Sequence, residues 1–175
     1  MSEATVPGRR VPRGDIMARH REIYLRSGGA EGHIMDLSFA GGHVFTTHCM
    51  IRYVGRKSGR IFITPLIYGD IGGEVVIVAS KGGADAHPAW YLNIRDRDEL
   101  DFQVATNAFR ATKREPQGEE RARIWAFMAA IFPSYTAYQG ATDRLIPLVM
   151  MKPVEAIPVF RESDATGMMA PPGAG

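Results

Sequence analysis

The sequence predicts a mainly β, α+β domain: a small barrel of about six short strands with helices against its flank. Three observations lead there. Six short runs are apolar throughout or alternate with period two. Glycine pairs punctuate them at hairpin positions. Three other segments repeat their apolar residues at helical spacing.

Taken in order, Asp15 is a helix N-cap, and the segment from there to Leu25 sets Ile16, Ile23 and Tyr24 among arginines until Gly28-Gly29 stops it. Val44–Val54 is extended, with Phe45, Cys49, Ile51 and Tyr53 on one side and His48 and Arg52 on the other. The turn Gly55–Gly59 leads to a second strand, Ile61–Tyr68. Gly69-Asp70 and Gly72-Gly73 mark a hairpin whose return strand is Glu74–Ser80. His87–Asp96 reads as a short helix begun by Pro88. Leu100–Val104 and Phe109–Lys113 form another hairpin. Glu119–Ile131 is the clearest helix, with acidic residues at its start, a stripe of Ile124, Phe127, Met128 and Ile131, and Pro133 at its end. Ile146–Met151 is the last buried strand.

At 175 residues the chain is one domain. Residues 1–14 read as a flexible arm, 15–160 as the barrel domain and 161–175 as a disordered tail rich in Gly, Pro, Ala and Met. No run approaches the roughly 20 apolar residues that span a bilayer, and the N-terminus lacks the apolar core of a secretory signal. Cys49 is the only cysteine, so no internal disulfide forms. The expectation is a soluble cytoplasmic protein.

Four constellations could carry chemistry. Arg52, Arg56, Lys57 and Arg60 surround the turn Gly55–Gly59, where glycines let backbone N–H groups approach an anion and the cations add charge-assisted hydrogen bonds. A solvated basic turn explains the same residues. Nucleic-acid binding is disfavoured, since the cations cover one turn and the net charge is only +2. Ala79-Ser80-Lys81-Gly82-Gly83 after a strand again suits a phosphate or carboxylate, or is a plain turn. His87-Pro88-Ala89-Trp90-Tyr91-Leu92-Asn93 offers aromatic rings for a core or a pocket wall. Tyr135 and Tyr138, three apart, share a helical face and present hydroxyls or pack on the barrel. The five histidines show no metal-ligand spacing, no GxSxG elbow is present, and Cys49 on the apolar side of its strand reads as inert core. No metal is expected.

The order of these motifs, Gly55-Arg56-Lys57-Ser58-Gly59, Pro65-Leu66, Ala79 to Gly83, His87 to Asn93, Pro133-Ser134-Tyr135, Thr142-Asp143-Arg144 and Ile146-Pro147, resembles the deazaflavin-dependent nitroreductase family. The resemblance covers roughly residues 30–153. It implies a split β-barrel of the FMN-binding type and the deazaflavin coenzyme F420 as hydride carrier. By the family pattern, Lys57 and Lys81 hold the anionic part of the coenzyme, with Arg56, Ser58 and Arg60 in the same groove. Pro65, Ala79, Ser80, Gly82, Trp90 and Asn93 line its ring or tail. Tyr135 and Tyr138 close the acceptor pocket with Ser80 near the reacting end. Two positions depart from the pattern. Phe62 stands where the family carries an arginine, and Arg60, on the same strand face, reaches roughly 6–7 Å away from that point. Phe132 stands where the family's founding nitroreductase has a tyrosine, so nitroimidazole activation is not carried over.

The expected reaction is hydride transfer from reduced F420 to a quinone, enone or nitro compound, a small-molecule electron acceptor, with Tyr135, Tyr138 or Ser80 stabilising charge on the acceptor oxygen. The alternatives are an FMN-dependent split-barrel oxidoreductase, a non-catalytic carrier of deazaflavin or lipid, and a nucleic-acid-binding barrel. The arginine-rich first helix has a thin apolar face, which favours a cap over the barrel above a membrane-surface contact. A homodimer is compatible with this barrel type, and nothing in the sequence fixes the oligomeric state.

Overall fold

The computed structural model describes residues 13–167; most of the expected N-terminal arm and of the C-terminal tail lies outside the described residues. Four helices, α1 (Arg13–Arg26), α2 (Ala89–Ile94), α3 (Gly118–Ile131) and α4 (Ser134–Gly140), accompany seven strands. The strands are β1 (Ile34–Met35), β2 (Thr46–Val54), β3 (Ile61–Ile71), β4 (Glu74–Val78), β5 (Glu99–Val104), β6 (Asn107–Arg114) and β7 (Leu148–Ile157). Six of them run antiparallel in the order β2-β3-β4-β7-β6-β5. β5 then pairs back to β2, Cys49 opposite Val104 and Ile51 opposite Phe102, and the barrel closes. β1 is a two-residue addition beside β2, Ile34 opposite Thr47.

Closure sorts the apolar residues into three groups. Alternate residues point inward: Cys49 and Ile51, Val75 and Ile77, Leu100 and Phe102, Val149 and Met151 form the interior core, and Trp90, Tyr91 and Ile94 of α2 pack into it. The intervening residues point outward and are covered in turn. Val76, Val78, Leu148 and Met150 meet Ile124 and Met128 of α3 and Tyr135 of α4. Met50 and Ile63 meet Tyr24 and Leu25 of α1 and Phe160. Both faces of the middle of β2 and of β4 are therefore buried, which is why Cys49-Met50-Ile51 and Val75–Val78 are continuously apolar rather than alternating.

The side chain of Gln103 ties these layers together. It is fully buried on β5, where its Nε2 donates to the carbonyls of Gly28 (3.1 Å) and Ala105 (2.8 Å) and its Oε1 accepts from the Phe160 N–H (2.7 Å). The hydroxyl of Tyr24 accepts from the Ala105 N–H (2.7 Å) and donates to the Gln103 carbonyl (3.2 Å). One polar knot thus fastens the end of α1, the β5–β6 turn and the segment after β7.

All six expected strands form, with corrections at their ends. β3 runs on through Gly69 and Asp70, and the turn is Gly72-Gly73 alone. Gly69 is needed for approach rather than turning: a Cβ there would lie 2.6 Å from Phe127 and 2.7 Å from Ile131, so α3 rests directly on the strand. β7 continues to Ile157 past Pro153, which is accommodated at a register shift against Ala111 of β6. Phe45 does not join the buried face of β2: it precedes the strand and is 80% exposed. β1 and α4 were not expected as elements. Arg161–Gly167, at the start of the expected tail, contains a short 3-10 turn at Glu162–Asp164, and Thr166 Oγ1 accepts from the Ile61 N–H (2.8 Å).

Replacing Gln103 by leucine leaves the buried Phe160 N–H without an acceptor. Gln103→Leu is expected to lower the stability of the chain by about 2–4 kcal/mol, read as a lower urea midpoint. An unchanged midpoint would show that the knot does not hold the layers together.

Candidate active site

An apolar cleft of about 200 Å³ opens on the outer side of the barrel. One wall comes from β3, β4 and the loop after it: Pro65, Leu66, Ile67, Val78 and Ser80. The other comes from the end of α3 and from α4: Phe132, Tyr135 and Tyr138. Ile16 and Met17 of α1, Leu37, Phe39, Ala40 and His48 complete it. Pro133 ends α3 and lets the chain re-enter a helix at once, and that break turns Tyr135 and Tyr138 toward the strands. Phe132 packs edge-on to Tyr135 (centroids 5.0 Å), so the wall at this position is a hydrocarbon ring. Burial of Tyr135 pushes its phenol well above the usual tyrosine range, so it is a neutral hydrogen-bonding group at every working pH.

The loop beyond β4 borders the cleft at Ser80. Ser80 is right-handed and is followed by Lys81 (φ 46°), Gly82 (φ 64°) and Gly83 (φ 81°) in left-handed conformation. A right-handed residue followed by left-handed ones bends successive N–H groups toward one point, an anion-binding nest. A Cβ on Gly82 would meet nothing within 4 Å, so the loop is open on that side, whereas one on Gly83 would strike the carbonyl oxygen of Tyr138 at 2.7 Å. Arg144 grips the loop from behind. Its Nε donates to the Ala84 carbonyl (2.6 Å), Nη2 to the Ser80 carbonyl (2.6 Å), and Nη1 to the Ala79 carbonyl (3.2 Å) and His87 Nδ1 (3.1 Å).

The second cationic turn, Gly55–Gly59, caps the β2–β3 hairpin with Arg56, Lys57, Ser58 and Arg60 exposed. Asn93 of α2 braces it: the amide oxygen accepts from the Arg56 N–H (3.0 Å) and from Arg56 Nη1 (3.2 Å). Ser58 Oγ accepts from the Arg60 N–H (3.3 Å). Arg52, counted among these cations in the sequence, lies elsewhere: it pairs with Asp101 (2.7 Å) and Asp164 (3.4 Å) and lies over the Phe160 ring. Phe62, at the departing position, stacks on Tyr53 (centroids 5.7 Å).

The structure therefore brings Pro65, Ser80, Tyr135 and Tyr138 to one cleft, with Ala79, Lys81 and Gly82 adjoining it along the loop. Arg56, Lys57, Ser58, Arg60 and Asn93 gather at the hairpin turn, and Trp90 lies in the interior core rather than in the cleft lining. Sequence reading gave no role to His48 or Arg144. For Arg144 the signal was its place in the Thr142-Asp143-Arg144 motif; for His48 there was none beyond the polar side of its strand. His48 Nδ1 donates to the Thr46 carbonyl (3.1 Å), and its ring lies 4.7 Å from that of His20. His20 Nε2 donates to the Gly32 carbonyl (2.6 Å), while its Nδ1 is buried without a partner. Among the described residues no cluster suits a metal ion, and no helix is long and apolar enough to cross a membrane.

A closed antiparallel barrel with an apolar cleft on its outer side and two cationic turns is the architecture of a split-barrel oxidoreductase. The family model for F420H(2)-dependent quinone reductase matches residues 17–153, and the chain belongs to that family. It is similar to the F420H(2)-dependent quinone reductase of Mycobacterium tuberculosis, 30% identical over 139 residues, 78% of this chain and 89% of that protein. Among solved structures it is similar to an F420-H2 dependent reductase, 35% identical over 60% of this chain and 93% of that one, TM-score 0.56. It is also similar to a protein solved as a domain-swapped dimer, 31% identical over 79% and 98%, TM-score 0.58. The cofactor is accordingly F420, in preference to FMN, and the chain is an oxidoreductase.

Burial, followed by the neighbouring His20, pushes His48 down to about 4. The unfolded ring protonates near 6.5, the ordinary histidine value. Between these two values the unfolded chain therefore binds more protons, and stability falls as the pH is lowered through that window. The expected loss reaches about 3 kcal/mol by pH 4, and His48→Gln flattens the dependence. Urea midpoints measured from pH 7 to pH 4 check it, and parallel profiles for the two proteins would count against it.

Proposed function

We propose that the chain reduces a quinone with electrons from F420H2, holding the acceptor in the cleft between β3–β4 and α4. The observation that carries this reading is the juxtaposition at Ser80, where an apolar, aromatic-walled slot meets a backbone anion nest. A planar hydrophobic acceptor suits the slot, and an anionic cofactor suits the nest together with the cationic hairpin turn. Lys57, Arg60 and Lys81 would hold the coenzyme's phosphate and acidic tail, with Arg56 and Asn93 shaping the turn. β3 joins the two places: from Arg60 to Pro65 is about 16 Å of extended chain, a length that suits an elongated ligand.

F420, when bound, supplies a hydride. The protein's part is to stabilise the negative charge that arrives on the acceptor oxygen. The hydroxyls of Ser80 and Tyr138, and the permanently neutral phenol of Tyr135, are the donors at hand in the cleft, where low polarity strengthens each hydrogen bond. Ile16, Met17 and Leu66 keep water from the reacting faces. Phe132 adds no hydrogen bond, which favours apolar quinones over nitro-bearing acceptors.

The test is a fluorescence titration with F420 beside FMN, then reoxidation of the reduced complex by menadione. F420 is expected to bind in the micromolar range and FMN weakly. Lys57→Ala is expected to raise the dissociation constant about tenfold. Tyr138→Phe and Ser80→Ala are expected to slow quinone reduction about 10- to 100-fold with little change in F420 affinity. Tight FMN binding without F420 binding would overturn the assignment.

A further inference from the structure

We propose that Arg144 is the positioning residue of the 79–87 loop: one guanidinium fixes three loop carbonyls and His87, which sets the nest's N–H groups outward toward an anion, and this grip loosens when His87 takes a proton. The proposal rests on the reading that the loop carries the anionic part of the cofactor.

The geometry comes from the peptide unit. A trans peptide is planar, so its C=O and the next residue's N–H point in opposite directions. Pulling the Ser80 carbonyl inward to Arg144 Nη2 therefore turns the Lys81 N–H outward. The Ala79 carbonyl, drawn to Nη1, does the same for the Ser80 N–H. Together with the turn's own bonds, Gly83 N–H to the Ser80 carbonyl (3.0 Å) and Ala84 N–H to the Lys81 carbonyl (3.3 Å), this hold offsets the cost of a non-glycine residue, Lys81, at φ 46°. α4 presses from the other side, where Gly83 abuts the Tyr138 carbonyl, and Thr142 Oγ1 donates to Asp85 (2.8 Å) at the loop's far end. Only arginine can fill the post. Three separately directed carbonyls and a ring nitrogen need the guanidinium's forked donors, which a lysine ammonium cannot reproduce.

His87 makes the grip dependent on pH. A guanidinium has no acceptor, so Nδ1 of His87 must carry the lone pair that receives Nη1. A protonated ring loses that lone pair and sets a second cation 3.1 Å from the first. The groups facing His87 are Arg144, Arg95 and the ring of Tyr91, with Glu115, the partner of the Tyr91 hydroxyl, as the opposing charge. Burial first, then the two arginines, outweigh Glu115 and hold the ring below the usual histidine range. The contact is therefore present at neutral pH and is lost on acidification.

The test compares wild type, Arg144→Lys and His87→Gln, the last of which keeps an acceptor for Nη1 but cannot titrate. Amide hydrogen exchange of the cofactor-free full chain at pH 7.5, 5.5 and 4.5, corrected for intrinsic rates, reads the loop directly. In Arg144→Lys, exchange within residues 79–87 is expected to rise about tenfold while the barrel strands stay protected. F420 affinity is expected to fall by a similar factor, with a much smaller change in kcat. Wild type is expected to lose loop protection and F420 affinity progressively as the pH falls from 7.5 to 4.5, and His87→Gln to keep both better than wild type. Wild-type protection of the loop in Arg144→Lys, or a His87→Gln profile that follows wild type, would overturn the proposal. Failure of wild type to bind F420 would instead overturn the cofactor reading, and the exchange data would still decide the role of Arg144.

Discussion

Closure of the barrel through β2 is the constraint on which everything else depends. β2 pairs with β3 along one edge and with β1 and then β5 along the other, so most of its backbone is spent inside the sheet. Its side chains must then find cover on both faces. Cys49 and Ile51 find it in the interior, Met50 beneath α1, and Arg52 against Phe160 and two carboxylates. A helix layer is compulsory on the outside, and where α1 and α4 fail to meet over β3 and β4 a cleft remains.

That origin explains the cleft's chemistry. Its floor is the outer face of strands whose other face is core, so it is apolar by construction and rigid. Polarity enters through His48 of β2, the Ser80 loop and the tyrosines of α4. Arg144 belongs to the chain between α4 and β7 yet bonds the loop after β4, coupling the two rims that an acceptor and a cofactor would share. The buried histidines are a different matter. His48 lines the cleft and His20 packs edge-on against its ring with an unpartnered nitrogen, and burial holds both rings below the usual histidine range at the expense of acid stability.

Much of the barrel was legible in the sequence because closure forces continuous apolar runs, and Glu74–Val78 and Leu148–Met151 show them plainly. Pro153 and the charged residues around it hid the outer half of β7, which tolerates them as an exposed, irregular stretch. Gly69 looked like a turn because a close helix approach and a turn select the same residue. At the site, Pro65, Ser80, Tyr135 and Tyr138 were identified through motif order rather than spacing, since fifteen or more residues separate these clusters and only the fold unites them. Trp90 was ambiguous between wall and core, and its place on the inward side of α2 puts it in the core. Arg52 looked like a neighbour of Arg56 until Asp101, forty-nine positions on, supplied its partner. For Arg144 only its place in the Thr142-Asp143-Arg144 motif gave a signal: three of its four partners are backbone carbonyls, which leave no trace in residue type.

The most direct test of the central claim, that the cleft beside Ser80 receives the acceptor and the flanking cationic turns receive the cofactor, is a crystal structure of the chain with F420 and menadione bound together. The account predicts the quinone between Pro65 and Tyr138 with an oxygen within hydrogen-bonding distance of Ser80 or a tyrosine hydroxyl, and the coenzyme's acidic tail along Lys57 and Arg60. A quinone lodged outside this cleft, or a tail leading away from both turns, would contradict it.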